Sequence, residues 1–588
     1  MKRHTALCLM FICSVPASLS CVDDYGNDGW NDWDDDWGGG GWGGGGLGSG
    51  SGCCGRRGGL FDNDNFLTDF RHVSLDDGDM EGDSIDSTRF FLGMPYAAAP
   101  TGDLRWRAPQ PSPGWTGTRK ATTYGARCAQ RPSSAYGNDK NESEDCLFMN
   151  VWAPEKPASD KLPVMVWIHG GDHVSGSASD PMPDGSGGQL YDGAKLAAKG
   201  VVVASFNYRL GALGFFPHAD QQNEDGIYGN QGLWDQVAAL KWIKKNIKAF
   251  GGDPNNITIF GQGSGAQDVC YHMVSPASRG LFNQAISESG GCTDYQYEEK
   301  EMLDGVYALM NKLGCDKDKS VLKCLRNHDA DEVIAAIPKD SPFRPFIDGT
   351  FFKGQPRDSF ERGDIADAAY ILGNTINEGS AYQATYSNVE SEADYQAVLQ
   401  ANFPPEAIKG VADAYPRAQY AGDAHPYASA LSHVFGDARV VCPTWDTAMH
   451  AFNAGNDVYV YSFDDSTLAG SATKHGSELG YVFGNGKLND AQKSLSDLVQ
   501  KYWTNFAGFG DPNDIEKDSF GWPAYSARSK SQVNLASDMK LMQDLHESDC
   551  ALWRSIYAEQ LAKKPPAATT TTAMTTPTPT PTPKPSAK

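Results

Sequence analysis

The sequence predicts an α/β fold built on one large, mostly parallel sheet with helices on both faces. Three observations predict it. Val164-Met165-Val166-Trp167-Ile168 and Val201-Val202-Val203-Ala204-Ser205-Phe206 are unbroken apolar runs, the pattern of strands covered on both sides. Between Gly232 and Phe250 the apolar residues Leu233, Val237, Leu240, Trp242, Ile243 and Ile247 recur at helical spacing, and Gly251-Gly252 with Asp253-Pro254 ends the run. A third buried-strand pattern, Ile257-Thr258-Ile259-Phe260, follows at once. Strand, helix and strand in alternation argue for parallel pairing.

Along the chain, residues 1–20 read as a secretory signal. Lys2, Arg3 and His4 precede an apolar run from Ala6 to Val15, and small residues follow around Ala17-Ser18-Leu19-Ser20. The run is too short to span a bilayer, and we expect an exported chain with no membrane span. Residues 21–66 form an acidic leader rich in Gly, Trp and Asp. Cys21 to Trp37 alone holds seven Asp and no basic residue. Such a composition buries no core and predicts disorder. Residues 67–563 carry the folded domain. Residues 564–588 form a Thr/Pro-rich tail, expected to be extended and without a lipid-anchor signal.

The whole chain has 588 residues and a net charge of −24. A surface of that sign repels nucleic acid, which excludes a nucleic-acid role. Thirteen cysteines fit an oxidising compartment. Cys8 and Cys13 would leave with the signal. Asn141 and Asn256 begin Asn-x-Ser/Thr sites, and Asn141, in a polar loop, is the better candidate for glycosylation. We expect neither a cofactor nor a metal ion; the leader lacks the spacing of a Ca²⁺ loop.

The most informative stretch is Gly261-Gln262-Gly263-Ser264-Gly265. It follows a predicted strand and precedes a predicted helix from Ala266 to Val274. A strand, a tight glycine turn and a helix make the nucleophile elbow of α/β-hydrolases, where Gly-x-Ser-x-Gly lifts one hydroxyl above the sheet. Here the central position is Gly263.

Phe91-Leu92-Gly93-Met94-Pro95-Tyr96-Ala97, Glu144-Asp145-Cys146-Leu147-Phe148-Met149-Asn150-Val151-Trp152, Asn207-Tyr208-Arg209-Leu210-Gly211, Gly229-Asn230-Gln231-Gly232-Leu233 and Tyr502-Trp503-Thr504-Asn505-Phe506 complete a pattern in fixed order. By these residues the chain resembles the type-B carboxylesterase and cholinesterase family, with its α/β-hydrolase fold. The resemblance implies a triad acid at Glu378 and a triad base at His475, with the lost nucleophile at Gly263. It implies an oxyanion loop His169-Gly170-Gly171-Asp172-His173, whose N–H groups join that of Ser264. It also implies disulfides Cys128–Cys146, Cys315–Cys324 and Cys442–Cys550. Cys21, Cys53, Cys54, Cys270 and Cys292 gain no partner from it, and Cys270 is expected to be a packed thiol.

Three departures meet at the chemistry. Gly263 stands for the serine, Gln262 for a glutamate, and Asp172 for a glycine, where its charge would oppose an oxyanion. Tyr136 is the one aromatic in the loop Ala129–Asp145, where choline-binding members carry a tryptophan. Phe343, Phe346, Phe351 and Phe352 lie near the acyl-pocket segment, some of them as core.

These features resemble the catalytically degenerate, neuroligin-like members. The resulting expectation is a secreted, non-catalytic protein that binds an unknown extracellular protein or matrix partner, with room for an ester or small hydrophobic ligand in the pocket. One alternative is a carboxylic ester hydrolase using Ser264 as a shifted nucleophile with Glu378 and His475. Another is a matrix or mineral-associated protein acting through its acidic leader.

Overall fold

Eleven strands hydrogen-bond into one sheet. In chain order they are β1 (Asp83–Ile85), β2 (Thr88–Pro95), β3 (Phe148–Pro154), β4 (Leu162–Ile168), β5 (Val202–Phe206), β6 (Gly252–Gln262), β7 (Gln284–Glu288), β8 (Ala369–Thr375), β9 (Val458–Phe463), β10 (Ser531–Leu535) and β11 (Lys540–Gln543). This computed structural model describes residues 70–131, 141–156, 159, 161–183, 187–338, 343–466, 473–513, 520–543 and 546–562. The order across the sheet is β11-β10-β9-β8-β7-β6-β4-β5-β3-β2-β1. From β10 through β9, β8, β7, β6 and β4 to β5 the pairing is parallel; outside that block it is antiparallel.

The unbroken apolar runs find their reason in this arrangement. Along β4, Val164, Val166 and Ile168 join one core while Met165 and Trp167 join the other. Successive side chains of a strand point to opposite faces, so a strand covered on both sides has no position free for a polar residue. Helices α1 (Gln231–Asn246), α2 (Ser264–Val274) and α4 (Cys442–Asn453) cover the first face, while α3 (Pro426–Gly436) and α6 (Glu547–Ala562) pack into the same core from outside, α6 against α4. Helix α5 (Asp490–Phe509) covers the second through Leu495, Val499, Trp503 and Phe506. Phe343, Phe346, Phe351 and Phe352 are all core.

The elbow strand begins earlier than the apolar run suggested, at Gly252, and the following helix starts at Ser264 instead of Ala266. Among the described residues, no helix is long and apolar enough to cross a membrane. The signal, the leader, the Thr/Pro tail, Tyr136, Cys21, Cys53 and Cys54 lie outside the described residues.

Three disulfides pair as the resemblance implied: Cys128–Cys146, Cys315–Cys324 and Cys442–Cys550. The expectation of a packed Cys270 thiol is wrong. Cys270 is bonded to Cys292, with Cα atoms 5.8 Å apart. The parallel register brings this about. β7 lies beside β6, so the chain leaving β7 runs against the helix leaving β6. The approach is so close that a Cβ on Gly290 would sit 2.4 Å from Gly263 O and 2.8 Å from Ala266 Cβ.

The parallel block also gathers the chemistry. The loops after β4, β6, β7, β8 and β9 leave the same edge of the sheet, the carboxyl ends of the strands, where ligands bind in open α/β folds.

Candidate functional site

At the turn between β6 and α2, Gly263 has φ +61° and ψ −123°. Its flanking glycines are demanded by space: a Cβ on Gly265 would lie 2.1 Å from Ile168 O, and one on Gly261 2.6 Å from the carbonyl of Gly265. Gly263 differs. A Cβ there would meet only the ring of His475, 3.3 Å from Nε2 and 3.9 Å from Cε1. Backbone conformation favours glycine at this position, but packing does not require it.

His475 stands over this turn with a quarter of its side chain accessible (26%). Its Nδ1 is hydrogen-bonded to Glu378 Oε2, and its backbone N–H donates to Ser380 Oγ at 2.9 Å. The other carboxylate oxygen, Glu378 Oε1, accepts from Thr375 N at 2.6 Å, Ser289 Oγ at 2.7 Å and Thr375 Oγ1 at 2.9 Å. Burial alone would raise the Glu378 carboxyl. The charge of His475 and the hydrogen bonds from His475, Ser289 and Thr375 together outweigh it and hold the group below the ordinary range. For His475, burial disfavours the charged ring, but the charge and hydrogen bond of Glu378 carry it above its ordinary value.

On the far side of the ring, His475 Nε2 lies 3.0 Å from Gln262 Nε2. In the neutral ring, with Nδ1–H donated to Glu378, the Nε2 lone pair accepts from the Gln262 amide. Gln262 therefore engages the nitrogen that a general base would need free.

Two further acids lie beneath the pair, and sequence reasoning missed both. Glu288, at the end of β7, accepts from Trp503 Nε1 at 2.8 Å; its own carbonyl accepts from Gly263 N at 2.9 Å. Glu478 Oε1 lies 3.2 Å from Ser289 Oγ, whose one hydrogen goes to Glu378, so a protonated Glu478 donates to that hydroxyl oxygen. Burial pushes both carboxyls up to about 8, so they hold protons at neutral pH. An acid inside the run Ala285-Ile286-Ser287-Glu288 was the available signal.

The loop after β4 supplies the other wall. Gly170 sits so close to the elbow that a Cβ on it would lie 2.6 Å from Gln262 O and 3.7 Å from Ser264 N. Gly171, Asp172 and His173 all have positive φ. The Asp172 carboxylate turns outward, 64% exposed, and pairs with Arg344 Nη2 at 2.7 Å. His173 anchors the loop from below through Asp268 at 2.8 Å. The wholly buried Asp268 is held in turn by Gln236, which also binds His272. Burial drives His272 down to about 4, so this second histidine stays neutral.

Ser264 is the first residue of α2, and its hydroxyl is buried with no hydrogen-bond partner among the described residues. The structure brings Gly263, Gln262, His475 and Glu378 together but forms no hydrogen bond between Ser264 Oγ and His475. Asn141 is exposed. Asn256 is half-buried and spends its amide N–H on Gly508 O at 3.2 Å. Among the described residues, the one group with metal-ligand proximity is Cys315, Cys324 and His328. Its sulfurs are joined in a disulfide and offer no thiolate.

A family model described as the carboxylesterase family matches residues 69–553. The chain belongs to the carboxylesterase family. It is similar to cholinesterase of Mus musculus, 32% identical over 515 residues, covering 80% of this chain and 83% of that protein. It is similar to para-nitrobenzyl esterase of Bacillus subtilis (strain 168), 32% identical over 506 residues, covering 80% of this chain and 96% of that protein. A solved structure of PNB esterase superposes with a TM-score of 0.72 at 32% identity, covering 82% of this chain and all of that one.

Proposed function

We propose that this carboxylesterase-family chain is a secreted, non-hydrolytic member that acts by extracellular binding or adhesion. One observation carries the reading. The position from which a hydroxyl would face His475 Nε2 is Gly263, where even a Cβ would stand 3.3 Å from that nitrogen. Gln262 strengthens it by taking the lone pair of the same atom. A serine hydrolase needs a nucleophile within hydrogen-bond reach of its base, and Ser264 makes no such bond. Export is supported by the four disulfides among the described residues and by the signal-like start. The retained Glu378–His475 couple has a structural use, since removing either partner would strand a buried polar group.

The test is fluorophosphonate labelling of the full chain with peptide mapping. No adduct is expected. A covalent adduct on Ser264 that disappears in Ser264→Ala would replace this reading with ester hydrolysis from a shifted nucleophile.

A further inference from the structure

We propose that Arg344 anchors the carboxylate of a small organic acid beside the elbow turn at Gly263, and that Asp172 is a displaceable internal occupant of that anchor. This names a ligand class for the non-hydrolytic site and rests on that reading.

Arg344 is fixed from behind. It lies between Phe343 and Phe346, both buried to within 1%, and its guanidinium carbon stands 5.7 Å from the centre of the Tyr297 ring. Asp172 lies two residues beyond Gly170, the residue that touches Gln262 and Ser264, so the Arg344–Asp172 pair flanks the elbow. The guanidinium is only partly used. Nη2 donates to Asp172 Oδ2, while Nε is enclosed and has no hydrogen-bond partner among the described residues.

A guanidinium presents a carboxylate with two parallel N–H donors in a fixed fork. Asp172 takes one of them. A free carboxylate that displaces Asp172 could take both, and so give the enclosed Nε, whose lack of a partner is unfavourable, an acceptor. Asp172 is poorly placed to resist. Two-thirds of its side chain faces solvent, where an ion pair is weak. The other acids at this edge are already countered: Glu378 by His475, and the buried Asp294 by Arg439 at 3.9 Å.

The experiment is calorimetric titration of the full chain with hexanoate, hexan-1-ol and hexyltrimethylammonium at millimolar concentration. Hexanoate is expected to bind about tenfold or more tightly than the alcohol, the scale of a charge-assisted pair. Arg344→Gln should erase that preference. Asp172→Gly, a residue suited to the positive φ, should tighten hexanoate about threefold or more while leaving the alcohol unchanged. Three results overturn the inference: no hexanoate binding by wild type or Asp172→Gly, alcohol or ammonium binding as tight as hexanoate, or a hexanoate preference that survives Arg344→Gln. Unchanged hexanoate affinity in Asp172→Gly removes the internal-occupant role. Fluorophosphonate labelling separates the two readings. A labelled protein that still prefers hexanoate defeats only the non-hydrolytic reading, and an unlabelled one without the preference defeats only this inference.

Discussion

Restoring a hydroxyl at the elbow is the most direct challenge to the site. In Gly263→Ser the new Cβ occupies a backbone at φ +61°, which costs an L-residue about 1–2 kcal/mol. Space is tight but available. The sole neighbour is the His475 ring, 3.3 Å away at Nε2, and a shift of that ring by a few tenths of an ångström relieves the contact. The added Oγ then competes with the Gln262 amide for the Nε2 lone pair. A neutral hydrogen bond contributes about 1 kcal/mol net, so the amide should hold the serine–histidine contact down about fivefold. Gly263→Ser is therefore expected to acquire slow fluorophosphonate labelling at residue 263, and Gly263→Ser/Gln262→Ala to label about fivefold faster. Intact-mass kinetics measure both rates, and thermal unfolding checks that both variants are folded. Equal rates would refute the amide's competition. Folded variants that never label would show that Glu378 and His475 cannot activate a hydroxyl here.

Other consequences follow from the same geometry. Glu288 and Glu478 keep protons to about pH 8 when folded but lose them near 4.3 when unfolded. Their burial therefore lowers stability as pH rises between those values, by at most about 1.4 kcal/mol per unit for each group. Glu288→Gln should flatten the fall in the denaturation midpoint from pH 5 to 8; an unchanged slope would show that Glu288 ionises freely. Non-reducing peptide maps should recover Cys270 linked to Cys292, and losing that 22-residue closure should cost about 3 kcal/mol; alkylation of Cys270 in unreduced, denatured protein would contradict the pairing. Gly265→Ala places a Cβ 2.1 Å from Ile168 O and should cost about 3 kcal/mol or more, whereas Gly280→Ala meets nothing within 4 Å and should cost only the strain of its φ, about 1–2 kcal/mol. Similar thermal midpoints for the two would refute the assignment of Gly265 to close backbone contact.

Much of the fold was legible because its signals are local. The runs at Val164–Ile168 and Val201–Phe206 are apolar at every position, since each strand is buried on both faces. The stop at Gly251 is written in adjacent residues, and the structure places a left-handed turn there, φ +88°. The site was half legible. Glu378 and His475 stood out through their surroundings in sequence, and the altered centre at Gly263 lay inside one pentapeptide. The contacts that give these residues their state were not legible. Gln262 and His475 are 213 residues apart, and Asp172 and Arg344 are 172 apart. Asp172 was expected to oppose an oxyanion; the structure turns its carboxylate towards Arg344 and solvent. Cys270 was expected to be a packed thiol because the resemblance gave it no partner; the fold pairs it with Cys292.

The order of residues by itself determined the alternation of strand and helix, the positions of the turns and the glycine at the elbow. These depend on side-chain periodicity and backbone freedom, which act over a few residues. Only the folded sheet decided that Gln262 faces the imidazole, that Ser289 joins two carboxyl groups and that Cys270 finds Cys292. Each of those depends on which strands lie side by side, and parallel pairing joins segments whose separation along the chain no short pattern records.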